Sequence, residues 1–253
     1  MIKILLVGTG NVATQLAKNL DNKKYQINQI FSRNKKNAEP LIEFLNCHWS
    51  NDPKKIISSD MTIIAISDDN IKSVLPLLPK IPTMHTSGSI DMKILDEYFD
   101  NYGVLYPLQT FKKNISIKLN NTPFLIEGNN KNIEENIFEL ASSFSNKVYK
   151  INSSTRLKIH LSAVFACNFS NHMMVLGKKI SEESNFDFSL LLPLIQKTFS
   201  QINNNPLKLQ TGPAVREDKK VMDKHLEIIE DENIKMIYKL ISESIIKTKD
   251  ENI

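Results

Sequence analysis

A glycine-punctuated turn near the N-terminus is the strongest chemical signal in the sequence. An aliphatic run over residues 2–7 leads directly into Gly8-Thr9-Gly10-Asn11-Val12-Ala13. In this spacing the first glycine makes a tight turn, the second lets the backbone approach a pyrophosphate, and the alanine permits close helix packing. The free N–H groups at the start of the following helix attract anions. We therefore predict dinucleotide contacts at Gly8, Thr9, Gly10, Asn11 and Val12.

The end of the second predicted strand, residues 25–31, indicates which dinucleotide binds. Ser32-Arg33-Asn34 follows it, where NAD-binding chains place an acidic residue for the ribose hydroxyls. A carboxylate would repel a 2′-phosphate, whereas Ser32 and Arg33 can hold one through charge-assisted hydrogen bonds. The sequence therefore favours NADP(H), with Ser32, Arg33 and Asn34 as binding residues. The alternative is that Arg33, like the two lysines after it, begins a solvated surface helix.

Polar loops follow two further predicted strands, residues 61–66 and 83–86. Ligands of open parallel sheets bind beyond the carboxyl ends of the strands, so these loops belong to the same site. In residues 85–89, small hydroxyl side chains and a flexible glycine can bring a nicotinamide close to the backbone, although a plain serine–glycine turn is the alternative. The additional cofactor contacts that we predict are Ile66, Ser67, Asp68, Thr86 and Ser87.

A long helix, capped by Ser153 or Ser154 and running to about Glu183, contains the candidate proton donors. At about 100° per residue, His160 and Asn171 share one stripe, with Asn168 slightly further round, and we expect this stripe to be buried. Buried imidazole and carboxamide groups need partners, and here they can polarise a carbonyl or imine and supply a proton. The predicted catalytic residues are His160, Asn168, Asn171 and Ser87. The alternative is a set of core or dimer-interface residues.

Three further residues are predicted to contact the substrate: Gln109, Arg216 and His225. Gln109 lies in the loop after a predicted strand, residues 103–106. Arg216 precedes a helix that contains His225 and that Asp218 is expected to cap. Arg216 can clamp a carboxylate or phosphate, or it can be a solvated arginine. We predict no metal site.

The order of the elements predicts two domains. Strands are also expected at 47–49, 122–126 and 147–151, and helices at 38–45 and 133–144. This alternation is typical of an α/β fold, so residues 1–152 are predicted to form a Rossmann-type, doubly wound, mostly parallel sheet. Residues 153–253 read as an all-α domain for substrate binding and dimerisation. Its long helix is apolar on nearly every side and must be covered, which predicts a homodimer through these helices.

Composition excludes several other classes of protein. Of the 253 residues 41% are hydrophobic, enough for a substantial core, and the formal net charge is only +4. Basic residues are interleaved with acidic ones, so no nucleic-acid partner is predicted. Two cysteines exclude a disulfide framework, and residues 157–176 contain too many polar groups for a membrane span. Because residues 2–7 are needed for the first strand, we expect no leader, no membrane partner and a cytoplasmic location.

These motifs resemble those of a bacterial family of Rossmann-type proteins of unknown function. The N-terminal half is similar to pyrroline-carboxylate reductase and to deazaflavin-dependent NADP oxidoreductases. The C-terminal half is similar to phosphogluconate-dehydrogenase-like dimerisation domains. The segments that carry the resemblance are residues 8–13, 32–34, 66–69, 85–89, 106–111, 160–172 and 211–218, together with His225.

The resemblance implies an NADP-dependent oxidoreductase that acts on a small molecule as a homodimer. Related hydroxyacid dehydrogenases carry a lysine and an asparagine on the long helix, and only the asparagine is matched here, by Asn168 or Asn171. The Ser/Thr-rich, Gly-Gly-bearing helical motif of pyrroline-carboxylate reductases is missing, so their activity is not implied. We therefore expect hydride transfer to or from a small-molecule carbonyl or imine in an inter-domain cleft. The alternative is a non-catalytic NADP(H)-binding redox sensor or assembly protein.

Overall fold

The computed structural model describes residues 1–20, 23–184, 186–202 and 205–250. Contacts between residues divide the chain into two compact units, Met1–Val164 and Phe165–Ile253. The first unit therefore includes helix Ser153–Ala163, which the sequence analysis placed in the second domain.

A single eight-stranded sheet forms the centre of the first unit. The strand order is β3-β2-β1-β4-β5-β6-β7-β8, and only the β6–β7 pair is antiparallel. The order reverses at β1, which is where open α/β sheets bind ligands. The prediction of a Rossmann-type, mostly parallel sheet is confirmed. The strands are β1 (Ile2–Val7), β2 (Tyr25–Phe31), β3 (His48–Ser50), β4 (Met61–Ile64), β5 (Thr83–His85), β6 (Tyr102–Pro107), β7 (Phe124–Gly128) and β8 (Val148–Lys150).

Both faces of this sheet are buried. Ile4 and Leu6 of β1 belong to one apolar cluster, while Leu5 and Val7 belong to another. Successive side chains of a strand point to opposite faces, so the sheet is covered on both sides, as the continuous apolar run predicted. The helices of this unit are α1 (Asn11–Asn19), α2 (Lys35–Leu45), α3 (Asp68–Val74), α4 (Lys131–Ser142) and α5 (Ser153–Ala163).

The N-terminus of α5 differs from the prediction. Asn152, not a serine, caps the helix by accepting a hydrogen bond from the backbone N–H of Thr155 at 2.9 Å. The Ser153 hydroxyl instead donates to Glu127 Oε2 at 2.6 Å. The prediction of a serine cap was therefore wrong. The side chain of Asn152, one position before Ser153, fills the capping role, and the Ser153 hydroxyl is left to bind a carboxylate of the sheet.

The second unit is built from helices: α6 (Ser170–Glu183), α7 (Leu192–Ser200), α8 (Lys219–Ile228) and α9 (Glu232–Asp250). Asp218 caps α8, as predicted, by accepting a hydrogen bond from the Val221 N–H at 3.3 Å. Across the described ranges, no helix has the length and apolar content that a membrane crossing requires.

The predicted long regular helix is interrupted by a π-helical segment, Val164–Phe169. A π-turn holds more residues than an α-turn, so a constant angular step does not relate His160 to Asn168 and Asn171. Asn168 and Asn171 are exposed, and His160 is only partly buried. The prediction that one regular helix places these three residues on a common stripe was therefore wrong. Cover of the helix all round was expected only from a second copy of the chain, and it stays a prediction.

Candidate active site

A cavity of about 820 Å³ lies at the carboxyl ends of β1, β2, β4 and β5. It occupies the position where the strand order reverses, as ligand sites of this fold do. All of the residues that the sequence predicted to bind the cofactor line it, and so does His160. These predicted cofactor residues are Gly8, Thr9, Gly10, Asn11, Val12, Ser32, Arg33, Asn34, Ile66, Ser67, Asp68, Thr86 and Ser87.

Gly8 and Gly10 of the first turn are needed as glycines for different physical reasons. Gly8 has a φ of +111°, and a Cβ there would collide with the backbone carbonyl of Ala65, so the protein itself requires a glycine. At Gly10, the atom nearest to an added Cβ would be the Ala65 carbonyl oxygen at 3.9 Å. The protein leaves that space open, as close approach of a pyrophosphate to the backbone requires.

The N-terminus of α1 is suited to an anion. Gly10 precedes the helix, no side chain caps it, and its first turn contains no acidic residue. The N–H groups of this turn and the helix dipole therefore remain available to a phosphate. The Asn11 side chain accepts a hydrogen bond from the Lys113 N–H at 3.1 Å, which ties the loop after β6 to the start of this helix.

Ser32 and Arg33 after β2 are suited to hold a second anion. The Ser32 hydroxyl oxygen accepts a hydrogen bond from the Trp49 indole N–H at 3.0 Å, which leaves its own O–H free to donate. Arg33 is exposed and forms no ion pair within the described residues. Asn34 caps α2 by accepting from the Lys36 N–H at 2.9 Å, so the positive end of α2 is close by. Trp49 was not predicted as a site residue, because its partner Ser32 is seventeen residues away in the sequence.

Hydroxyl groups fix the loop that follows β5. The Ser87 oxygen accepts hydrogen bonds from the N–H groups of Ser89 and Ile90, both at 3.1 Å. The Thr86 hydroxyl donates to the Ile64 carbonyl at 3.2 Å, and the Ser89 hydroxyl donates to the Asp68 carboxylate. The bonds of Thr86 and Ser89 hold the loop against β4 and α3. The bonds to the Ser87 oxygen fix the turn of the loop, which forms part of the cavity wall.

His160 reaches the cavity from α5 and is paired with Tyr106. His160 Nδ1 lies 3.0 Å from the Tyr106 hydroxyl, and the two rings meet edge to face. A Cβ at Gly88 would lie 2.7 Å from both His160 Nδ1 and Tyr106 Cζ, so a glycine is needed for these rings to pack there. Tyr106 had no predicted role, because nothing in its local motif identifies a partner on a distant helix.

A buried ion pair anchors α5 to the sheet. Arg156 is 1% exposed, lies 2.7 Å from Glu127 Oε2, and donates to the Ile90 carbonyl and to the Ser153 hydroxyl. This set of bonds fixes the helix one turn before His160.

The buried charge of Arg156 contributes to the pKa shifts of two neighbouring groups. Burial, with the positive charge of Arg156 second, lowers the pKa of His85 to about 3, so its imidazole is neutral near pH 7. Burial raises the pKa of the Tyr106 hydroxyl, an effect that Arg156 opposes. Tyr106 therefore keeps its proton at neutral pH and can donate it.

The other predicted site residues lie outside this cavity lining. Gln109 is exposed, and its Oε1 accepts a hydrogen bond from the Thr110 N–H at 2.8 Å. Asn168, Asn171 and Arg216 are exposed residues of the second unit. In that unit His225 Nδ1 lies 2.9 Å from the Tyr238 hydroxyl. The catalytic and substrate-binding roles of these residues stay predictions.

Comparison with known proteins identifies the family. Residues 3–90 match the family model "NADP oxidoreductase coenzyme F420-dependent", and residues 122–245 match "Domain of unknown function (DUF2520)". A crystal structure from Bacteroides fragilis, titled a "putative NADP oxidoreductase", is 33% identical, covers 97% of this chain and 98% of that chain, and has a TM-score of 0.89. The chain belongs to the same family. The family confirms the predictions of an oxidoreductase enzyme and of NADP(H) as its cofactor.

Two more distant structures share the fold. 1-Pyrroline-5-carboxylate reductase from Streptococcus pyogenes is 15% identical over 99% of this chain and 98% of that chain, with a TM-score of 0.65. An imine reductase from Myxococcus stipitatus, in complex with NADP+, is 13% identical over 98% and 93%, with a TM-score of 0.62. No curated protein matches the chain.

Proposed function

We propose that the protein uses NADP(H) to reduce, or to form by oxidation, a carbonyl or imine group of a small molecule. The first turn of α1 binds the pyrophosphate, and Ser32 and Arg33 hold the 2′-phosphate. The loop after β5 supports the nicotinamide, and His160 exchanges a proton with the substrate. When bound, the dinucleotide supplies or accepts the hydride.

The observation that carries this proposal is the cavity that joins three groups of residues. It connects the open space at Gly10, the guanidinium of Arg33, which has no ion-pair partner among the described residues, and the imidazole of His160. A dinucleotide needs two separate anion sites, and the chain provides one at α1 and another at the start of α2. A non-catalytic sensor has no need for a proton donor, so the position of His160 in the same lining supports an enzyme.

Replacement of Gly10 by alanine tests whether the open space serves the cofactor. We expect the free energy of unfolding to change by no more than about 1 kcal/mol, because Gly10 has an ordinary negative φ of −74° and precedes the helix. NADPH affinity should fall at least about tenfold, since the added methyl group occupies the space needed by the pyrophosphate. Titration followed by nicotinamide fluorescence measures the affinity, and urea unfolding measures the stability.

Gly177→Ala is the matched control for this substitution. Gly177 lies in α6, and an added Cβ there would come no closer than 3.8 Å to the Phe188 ring. This variant should bind NADPH like the wild type. If wild-type protein binds neither NADPH nor NADH, the proposed function is wrong. Equal binding by the Gly10 variant would contradict the assigned pyrophosphate position.

We further propose that the protein works as a homodimer through its C-terminal helices. The second unit exposes many large apolar side chains, which a stable soluble monomer rarely does in such number. Coverage by a second copy would remove this apolar surface from water, and sedimentation equilibrium measures the mass directly. The most exposed examples in this unit are Phe165, Leu190, Leu194, Ile228, Met236 and Leu240.

A further inference from the structure

The pairing of Tyr106 with His160 gives the imidazole a defined orientation. Among the described contacts, Tyr106 directs its hydroxyl at His160 Nδ1, and Gly88 packs against the same side of the pair. His160 lines the cavity, whereas Tyr106 is not among the lining residues. The nitrogen that faces the tyrosine is therefore covered, and Nε2 is the nitrogen left for a ligand.

The direction of the hydrogen bond decides which nitrogen carries the proton. A phenol is a stronger donor than a neutral imidazole N–H, and an imidazole nitrogen is a stronger acceptor than a phenol oxygen. Tyr106 is protonated at neutral pH, as an ordinary tyrosine is, and burial raises the pKa of its hydroxyl further. The hydroxyl thus donates to Nδ1, and the neutral imidazole carries its hydrogen on Nε2.

We propose that Tyr106 is a positioning residue that holds His160 as the Nε2–H tautomer and thereby makes it the proton donor of the reductive reaction. This inference rests on the proposed function. The substrate carbon accepts the hydride, and its double bond to oxygen or nitrogen becomes a single bond. The oxygen or nitrogen atom then takes the proton from His160 Nε2. The Tyr106 proton moves to Nδ1 in the same step, so the imidazole stays neutral and the negative charge resides on the phenolate.

One positive charge near the pair favours this transfer. Burial opposes a negative charge on the Tyr106 oxygen and is the largest effect; the Arg156 guanidinium offsets part of it, and Asp68 adds a smaller opposing effect. Arg156 is itself fixed by Glu127, so its position does not depend on a ligand. The phenolate would then recover its proton from water before the next turnover.

The tautomer can be measured without a substrate. Protein labelled with ¹⁵N-histidine gives separate signals for protonated and unprotonated ring nitrogens, and His160→Gln identifies those of His160 among the five histidines of the chain. The wild type should show Nε2–H. In Tyr106→Phe the ratio of the Nε2–H to the Nδ1–H tautomer should fall about two- to tenfold, the equivalent of one neutral hydrogen bond.

Tyr149→Phe is the matched control, because Tyr149 is an exposed tyrosine of β8 whose loss should leave the His160 signals unchanged. If Tyr106→Phe does not fold, Gly88→Ala replaces it, since the added Cβ pushes directly on Nδ1 and should shift the same signals. A wild-type His160 protonated on Nδ1, or a tautomer ratio unchanged in folded Tyr106→Phe, would overturn the inference.

NADPH titration of the same variants separates this inference from the proposed function. Tyr106 is outside the cavity lining, so Tyr106→Phe should bind NADPH within about twofold of wild type while the tautomer ratio changes. A wild type with the Nε2–H tautomer that binds no dinucleotide would overturn the proposed function and, with it, the donor role.

Discussion

Replacing Arg33 by alanine is expected to weaken NADPH binding about 10- to 150-fold and to change NADH binding by no more than about twofold. The two cofactors differ only in the 2′-phosphate, and a hydrogen bond to a charged group contributes about 1.5–3 kcal/mol. Arg33 lines the cavity, and within the described residues no carboxylate competes for its guanidinium. Nicotinamide fluorescence titrations with both cofactors measure the two affinities.

Lys36→Ala provides the control for the loss of one positive charge. Lys36 lies in the first turn of α2, close to Arg33 in sequence, but is not part of the cavity lining. Its removal should reduce NADPH affinity only slightly, through the general electrostatic field. If Arg33→Ala behaves like Lys36→Ala, Arg33 is only the solvated start of a surface helix. Equal losses for both cofactors would place Arg33 against a group that they share.

Replacing Arg156 by leucine is expected to lower the free energy of unfolding of the first unit by about 3–5 kcal/mol. The change leaves the Glu127 carboxylate, which is 16% exposed, without its cationic partner. The carbonyl of Ile90 also loses its donor. Urea unfolding followed by the fluorescence of Trp49 measures this effect, because the chain has only this tryptophan and it lies in β3.

Two further variants separate the loss of the ion pair from a general effect of substitution. Lys150→Ala removes a partner of Glu134 that is 50% exposed, and should cost no more than about 1 kcal/mol. The double variant Arg156→Leu/Glu127→Leu should be more stable than Arg156→Leu, because no unpaired carboxylate remains. A single variant as stable as the wild type would mean that Arg156 does not anchor α5.

The sheet and the glycine turn after β1 follow from local sequence patterns. The apolar run of β1 and the Gly8-to-Ala13 spacing determine a strand, a turn and a helix within a few residues, and the structure contains all three. The alternation of strands and helices predicted the mostly parallel sheet. Because the carboxyl ends of parallel strands meet at one edge, the loops after β1, β2, β4 and β5 were expected to share a cavity, and they do.

The surroundings of His160 were predicted less well, because they depend on the geometry of a helix over many residues. An angular step of about 100° per residue applies only to a regular α-helix, and the π-helical segment Val164–Phe169 breaks it. His160 was identified by its residue type and reaches the cavity. Asn168 and Asn171 were predicted to lie near the same helix face as His160 from a constant angular step, which the structure does not maintain.

The sequence by itself determined the fold class and the kind of cofactor, since both predictions depend on short spacings along the chain. Only the tertiary structure decided what surrounds His160. Tyr106 comes from β6, Gly88 from the loop after β5, and Arg156 from α5 with its partner Glu127 on β7. These contacts join residues that are far apart in sequence, and each is possible only after the strands have paired and α5 has docked on the sheet.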